Sequence, residues 1–147
     1  MQCRQIICSW YGGSIGREKG VTTHRGGCHC GQVSFEVQAP ADIAADQCNC
    51  SVCRMAGYLH LIVSRSAFQL LSGEDAIETY TYNTNVAQHY FCRHCGIKSF
   101  YVPRSHPSGI SVNVNCLDPS TIRSVTITPF DGQNWEQNAF KLSSLSD

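Results

Sequence analysis

The sequence predicts a mainly β domain. Three observations carry that expectation: apolar and polar residues alternate at the two-residue period of a strand, Gly, Pro and Asn break the alternation at short intervals, and only two stretches invite helix. Val33, Phe35 and Val37 alternate with Ser34, Glu36 and Gln38, the pattern of a half-buried strand. Residues 59–63 are a short apolar run that fits a more buried strand, and 68–71 end at the turn signal Ser72-Gly73. Ile77, Tyr80 and Tyr82 sit among threonines in a β-prone segment. Residues 86–91 lead into the last cysteine pair, and 99–102 lead out of it to Pro103. Ile110, Val112 and Val114 alternate with Ser111, Asn113 and Asn115, and Ile122, Val125 and Ile127 close the series. Helix is expected from Ser51 to about Ala56, directly after a cysteine, and in the segment after Asp131.

A chain of 147 residues is most simply one domain, and at that size roughly 68–70% of the unfolded surface is buried without help from disulfides. Residues 1–19 carry a small apolar patch and then turn polar and Gly-rich, which predicts a flexible tail ahead of a single domain over 20–147. Eleven basic and eleven acidic residues balance, so composition makes no electrostatic case for nucleic acid or a membrane surface as partner. No apolar run approaches the ~18 residues of a membrane span.

Ten cysteines are the outlying feature. An even count also fits a disulfide framework, but that arrangement belongs to smaller, secreted chains. Seven of the ten stand in tight groups: Cys28 and Cys30; Cys48, Cys50 and Cys53; Cys92 and Cys95. Such spacing suits a metal, because one turn of backbone then delivers two ligands. It also points to a reducing, cytoplasmic setting.

The groups divide in two. Cys92-Arg93-His94-Cys95-Gly96 is a C-x-x-C-G knuckle in which Gly96 permits the positive φ of a tight turn. Cys28 and Cys30, two apart, face one side of an extended backbone. Together the pairs supply four thiolates, the ligand set of a closed structural zinc site. The alternative is four separate buried cysteines. Cys48-Asn49-Cys50-Ser51-Val52-Cys53 supplies three ligands within six residues, at the start of the expected short helix. Three ligands leave one tetrahedral position for water or substrate, as in a catalytic zinc site. The site would instead be closed if Cys116, His29, His60 or His94 reached it; one zinc shared among several cysteines is the remaining arrangement. Cys3 and Cys8 lie in the tail and are read as bystanders.

These motifs, in this order, resemble the glutathione-dependent formaldehyde-activating enzyme (S-(hydroxymethyl)glutathione synthase) and centromere protein V family. The matching segments are residues 26–31, 48–53 and 91–96. Gln88-His89-Tyr90, Ser99-Phe100-Tyr101, Pro103-Arg104-Ser105, Asn115-Cys116-Leu117-Asp118, Phe130-Asp131-Gly132 and Trp135-Glu136 add to them. The resemblance runs from about Thr23 to Glu136. It implies an Mss4-like fold of short antiparallel strands with little helix, and two zinc ions per chain. By motif position Cys28, Cys30, Cys92 and Cys95 would hold a structural ion, and Cys48, Cys50 and Cys53 a catalytic one. The implied activity is that of a carbon–sulfur lyase acting on a thiol, with glutathione and formaldehyde as default substrates. Arg54, Arg93, Lys98 and Arg104 are candidate partners for glutathione's carboxylates, and Tyr58, Tyr101 and Trp135 for a pocket wall. Two other readings stand beside the enzyme: a zinc-stabilised protein-interaction module, and a thiol redox sensor.

Overall fold

Residues 20–143 are described by the computed structural model. The tail expected over 1–19, with Cys3 and Cys8, lies outside the described residues. In chain order the elements begin with β1 (Val21–Gly27), β2 (Ser34–Pro40), β3 (Asp42–Cys48) and helix α1 (Ser51–Ala56). β4 (Leu59–Ser64), β5 (Phe68–Ser72), β6 (Ile77–Tyr80) and β7 (Gln88–Cys92) follow. β8 (Phe100–Val102), β9 (Gly109–Asn113), β10 (Ser124–Phe130) and helix α2 (Trp135–Asn138) complete the series. The mainly β expectation holds.

The strands divide between two sheets. One is antiparallel with order β1-β2-β5, and the other has seven strands in the order β10-β3-β4-β9-β8-β7-β6. Phe35 and Val37 of β2 are fully buried and share one apolar core with Ile110 and Val112 of β9. At its centre Phe35, Phe68 and Phe100 meet edge to face or tilted, with centroids 4.8–5.6 Å apart, the geometry that aromatic rings prefer over a face-to-face stack.

Four departures from the sequence reading have physical causes. β1 and β3 were not expected: β1 (VTTHRGG) has one apolar side chain, and β3 (DIAADQC) is rich in Ala and Asp, both poor strand formers. Their register comes from partners instead, β2 for β1 and β4 and β10 for β3. β9 is buried on both faces, so Ser111 and Asn113 do not meet solvent as alternation predicts. Ser111 O accepts a hydrogen bond from Tyr58 Oη (2.8 Å), and Asn113 Nδ2 donates to Lys98 O (3.2 Å). β10 runs parallel to β3, against the all-antiparallel expectation, and as an edge strand it leaves Val125 and Ile127 exposed.

Candidate metal centres

The first cysteine cluster joins the two sheets. Cys28 follows β1 of the small sheet directly, and Cys92 ends β7 of the large one. Cys28 and Cys30 converge through a turn and not through extended strand as their spacing suggested: Gly31 N donates to Cys28 O (3.2 Å) and Cys28 N to Val33 O (3.0 Å). In the second turn Gly96 has φ 75° and its N–H donates to Cys92 O (2.8 Å), the conformation the knuckle requires. The four sulfurs lie within 4.8 Å of one another. Cys28 Sγ is 3.6 Å from Cys30 Sγ, which is 3.7 Å from Cys92 Sγ. A zinc–sulfur bond of about 2.3 Å gives a four-sulfur tetrahedron edges of about 3.8 Å. These separations fit a metal and are far beyond a disulfide bond, and all eight described cysteines are free.

The second cluster lies at one end of the large sheet. Cys48 ends β3, Cys50 is the N-cap of α1 and Cys53 is buried inside that helix. α1 is stopped after six residues by Gly57, whose φ of 60° caps it in the left-handed region. The three sulfurs lie within 4.8 Å of one another, and no fourth His, Cys, Asp or Glu joins the group among the described residues. Hydrogen bonds from the Cys48 and Cys53 thiols pull Cys50 down to about 2; the bond to Cys50 pushes Cys48 up, and the bonds to Cys48 and then Cys50 push Cys53 up. Three thiolates so close repel one another; a bound cation is what lets all three ionise together.

Of the candidates for closing this site, Cys116, His29 and His94 stand elsewhere. Burial, then the charges of Cys28 and Cys95, push Cys116 up to about 11, which places it on the side of the first cluster. His29 and His94 are exposed in the two turns of that cluster. His60 is near enough for the Cys50 charge to act on it, yet it is not one of the grouped ligands.

The segment 130–133 seals the second cluster from the other side. Asn49 N donates to Phe130 O (3.1 Å), Asn49 Nδ2 to Asp131 Oδ1 (3.0 Å), and Gln133 N to Asn49 Oδ1 (3.0 Å). These bonds draw Gly132 onto the sulfurs: a Cβ there would stand 2.3 Å from Cys48 Sγ and 3.3 Å from Cys50 Cβ. Only glycine fits. Gly132→Ala is therefore expected to displace the Cys48 sulfur, so that metal analysis finds one ion fewer per chain while the fold persists.

Above the three sulfurs opens a cleft of about 710 Å³, lined also by His60, His89, Tyr101, Arg54, Arg104 and Trp135. That volume lies in the range of small-molecule sites. Lys98 stands behind its wall, with Nζ 3.9 Å from the Tyr101 ring centroid, 4.9 Å from that of Tyr58 and 2.7 Å from His89 Nδ1. Burial pulls Lys98 down to about 8, against the attraction of Cys53, Cys50 and Cys48. Burial, then the Lys98 charge, lowers both His60 and His89 to about 4, so both rings are neutral at physiological pH. Tyr58 lies beneath the cleft, fully buried, and Arg93 is spent on Glu78 (3.0 Å) away from it.

The model of the family described as glutathione-dependent formaldehyde-activating enzyme matches residues 23–133. The chain belongs to that family. A crystal structure of a Rhodobacter sphaeroides protein is similar at 35% identity, covering 71% of this chain and 99% of that one, with a TM-score of 0.60. The family match spans both cysteine clusters and ends just past Gly132. Four residues at or behind this family member's cleft stand where the sequence reading did not place them. His60 was weighed only as a ligand, although a histidine inside the run Leu59-His60-Leu61-Ile62-Val63 already signals a buried polar group. Lys98 gives no such signal, because nothing local tells a buried lysine from a surface one. His89 and Gly132 stood out only within the family motifs.

No described helix is long and apolar enough to cross a membrane.

Proposed function

We propose that this chain is a zinc-dependent carbon–sulfur lyase or synthase that joins, or releases, a thiol and a small carbonyl compound. Glutathione and formaldehyde are the default pair. One observation carries the reading: three cysteine sulfurs sit together at a cleft with no fourth protein ligand among the described residues, while the other cluster has four. Membership of the family supports the reaction class and the substrates.

The two clusters would each hold one zinc ion, the first structural and the second catalytic. When bound at Cys48, Cys50 and Cys53, zinc would favour the thiolate form of a thiol at the open position. The remaining work falls to the chain. Three cysteinates and a dication leave a net charge of −1, and Lys98, held over two tyrosine rings, offsets it. Arg54 and Arg104 line the cleft and are suited to the carboxylates of glutathione. Arg104 is already oriented, donating to Glu136 (2.8 Å) with its guanidinium 5.2 Å from the Trp135 ring centroid. Holding thiol and carbonyl together in one cleft removes the entropy cost of their encounter, a contribution to rate that needs no strong polarisation.

The test is direct. Zinc-loaded protein is mixed with glutathione and formaldehyde, and S-(hydroxymethyl)glutathione is followed by NMR exchange. The expected result is saturable acceleration over the uncatalysed rate. Its absence rules out the default pair.

A further inference from the structure

His60 Nε2 is the only buried side-chain nitrogen or oxygen without a hydrogen-bond partner among the described residues. His60 is 5% exposed and lines the cleft beside the three sulfurs. Such an orphaned group calls for a ligand or an explanation.

The state of the ring follows from its other side. Tyr101 Oη and Ser111 Oγ lie 3.3 and 3.1 Å from His60 Nδ1, and neither hydroxyl has another partner among the described residues. Were Nδ1 protonated, the hydroxyl hydrogens would lack an acceptor. With Nδ1 bare, its one lone pair accepts from the two hydroxyls in a shared hydrogen bond, and the ring hydrogen stands on Nε2. His89 reaches the same state by a different route. An ammonium donates and cannot accept, so Lys98 Nζ, 2.7 Å away, makes His89 Nδ1 an acceptor and leaves the hydrogen on Nε2. The His89 ring is clamped between Tyr82 (centroids 5.4 Å, 22°) and Tyr101 (5.0 Å, 11°), and it too lines the cleft. Both imidazoles line the same cleft as Cys48, Cys50 and Cys53.

We propose that the Nε2–H groups of His60 and His89 form the site for the carbonyl oxygen of the substrate, and that Lys98 positions His89 for this role. The inference rests on the thiol–carbonyl reading above. When the thiolate sulfur attacks the aldehyde carbon, a C–S bond forms and the C=O π pair moves to oxygen, giving an alkoxide. The two neutral N–H groups stabilise that oxygen without surrendering their hydrogens, and it then takes a proton from water. The thiol has lost one proton to solvent, so thiol plus aldehyde gives the hydroxyalkyl thioether in balance. Neither histidine is a base here, because its only lone pair is already engaged.

Long-range ¹H–¹⁵N spectra of the zinc-loaded protein at neutral pH test the assignment without any assay of activity. Both rings are expected as Nε2–H tautomers, with Lys98→Met removing the preference at His89 and sparing His60. In kinetics Lys98→Met should lower kcat about tenfold, and His60→Ala about a hundredfold, with KM for glutathione unchanged. An Nδ1–H or doubly protonated ring at either histidine in the wild type overturns the proposal, whether or not glutathione and formaldehyde react faster. If they do not react faster, the reaction assigned above fails separately. Titration with formamide, an unreactive carbonyl, then decides: a saturable shift of both Nε2–H resonances supports the oxygen site, and no shift refutes it.

Discussion

Cys92→Ser is expected to leave the chain unfolded in dilute buffer at room temperature. Cys92 is 1% exposed, belongs to the four-sulfur cluster and ends β7, while its partners Cys28 and Cys30 follow β1 of the other sheet. The cluster therefore ties together two sheets whose strands are 62 residues apart at Cys30 and Cys92. A structural zinc site of four thiolates contributes about 10–16 kcal/mol of apparent binding free energy at neutral pH, more than the whole net stability of a typical domain. Serine at this place substitutes a poor ligand for a thiolate and leaves a hydroxyl in an apolar setting. Circular dichroism and urea titration check the outcome. Chelation of the wild type should reproduce it, and a cooperative unfolding transition that survives complete metal removal would show that the core alone holds the sheets.

Cys53→Ser should do the opposite: abolish activity and leave the fold. Cys53 is buried within α1, and its sulfur meets Cys48 and Cys50 at the floor of the cleft. The apolar core lies elsewhere, between the two sheets, so loss of this cluster subtracts little from it. Two cysteines rarely retain zinc against water, so the bound metal should drop from two ions to one. Turnover of the glutathione–formaldehyde pair should fall to the uncatalysed rate. Activity within tenfold of wild type would place the chemistry outside this cluster. The contrast between Cys92 and Cys53 is the division of labour expressed as two measurements.

What the sequence disclosed and what it hid follow one physical division. Local patterns were reliable where a single segment sets the outcome. The 59–63 run, the alternation around Phe35 and the short helix at Ser51 all became elements close to their expected bounds. Short cysteine spacings brought the sulfurs together because two or three residues of backbone fix where a side chain points. Contributions assembled by tertiary contact were hidden. β3 pairs because β4 and β10 flank it, not because Ala and Asp favour strand. Ser111 and Asn113 look solvent-facing in sequence, yet the cleft residues cover their face of β9. Lys98 is a cation under a cleft only because Tyr58, Tyr101 and His89 converge on it from three other segments. The missing fourth ligand at Cys48, Cys50 and Cys53 was an absence in sequence, where distant residues always remain possible; in the fold no other described His, Cys, Asp or Glu joins the group, His60 lining the same cleft without being part of it.

The most direct measurement of the central claim is metal content combined with X-ray absorption at the zinc edge. Two zinc ions per chain are expected, with an averaged shell between three and four sulfurs and a light atom as the remainder. In Cys53→Ser the surviving ion should show four sulfurs alone. One ion in the wild type, or two ions each with four sulfur ligands, would contradict an open three-cysteine site.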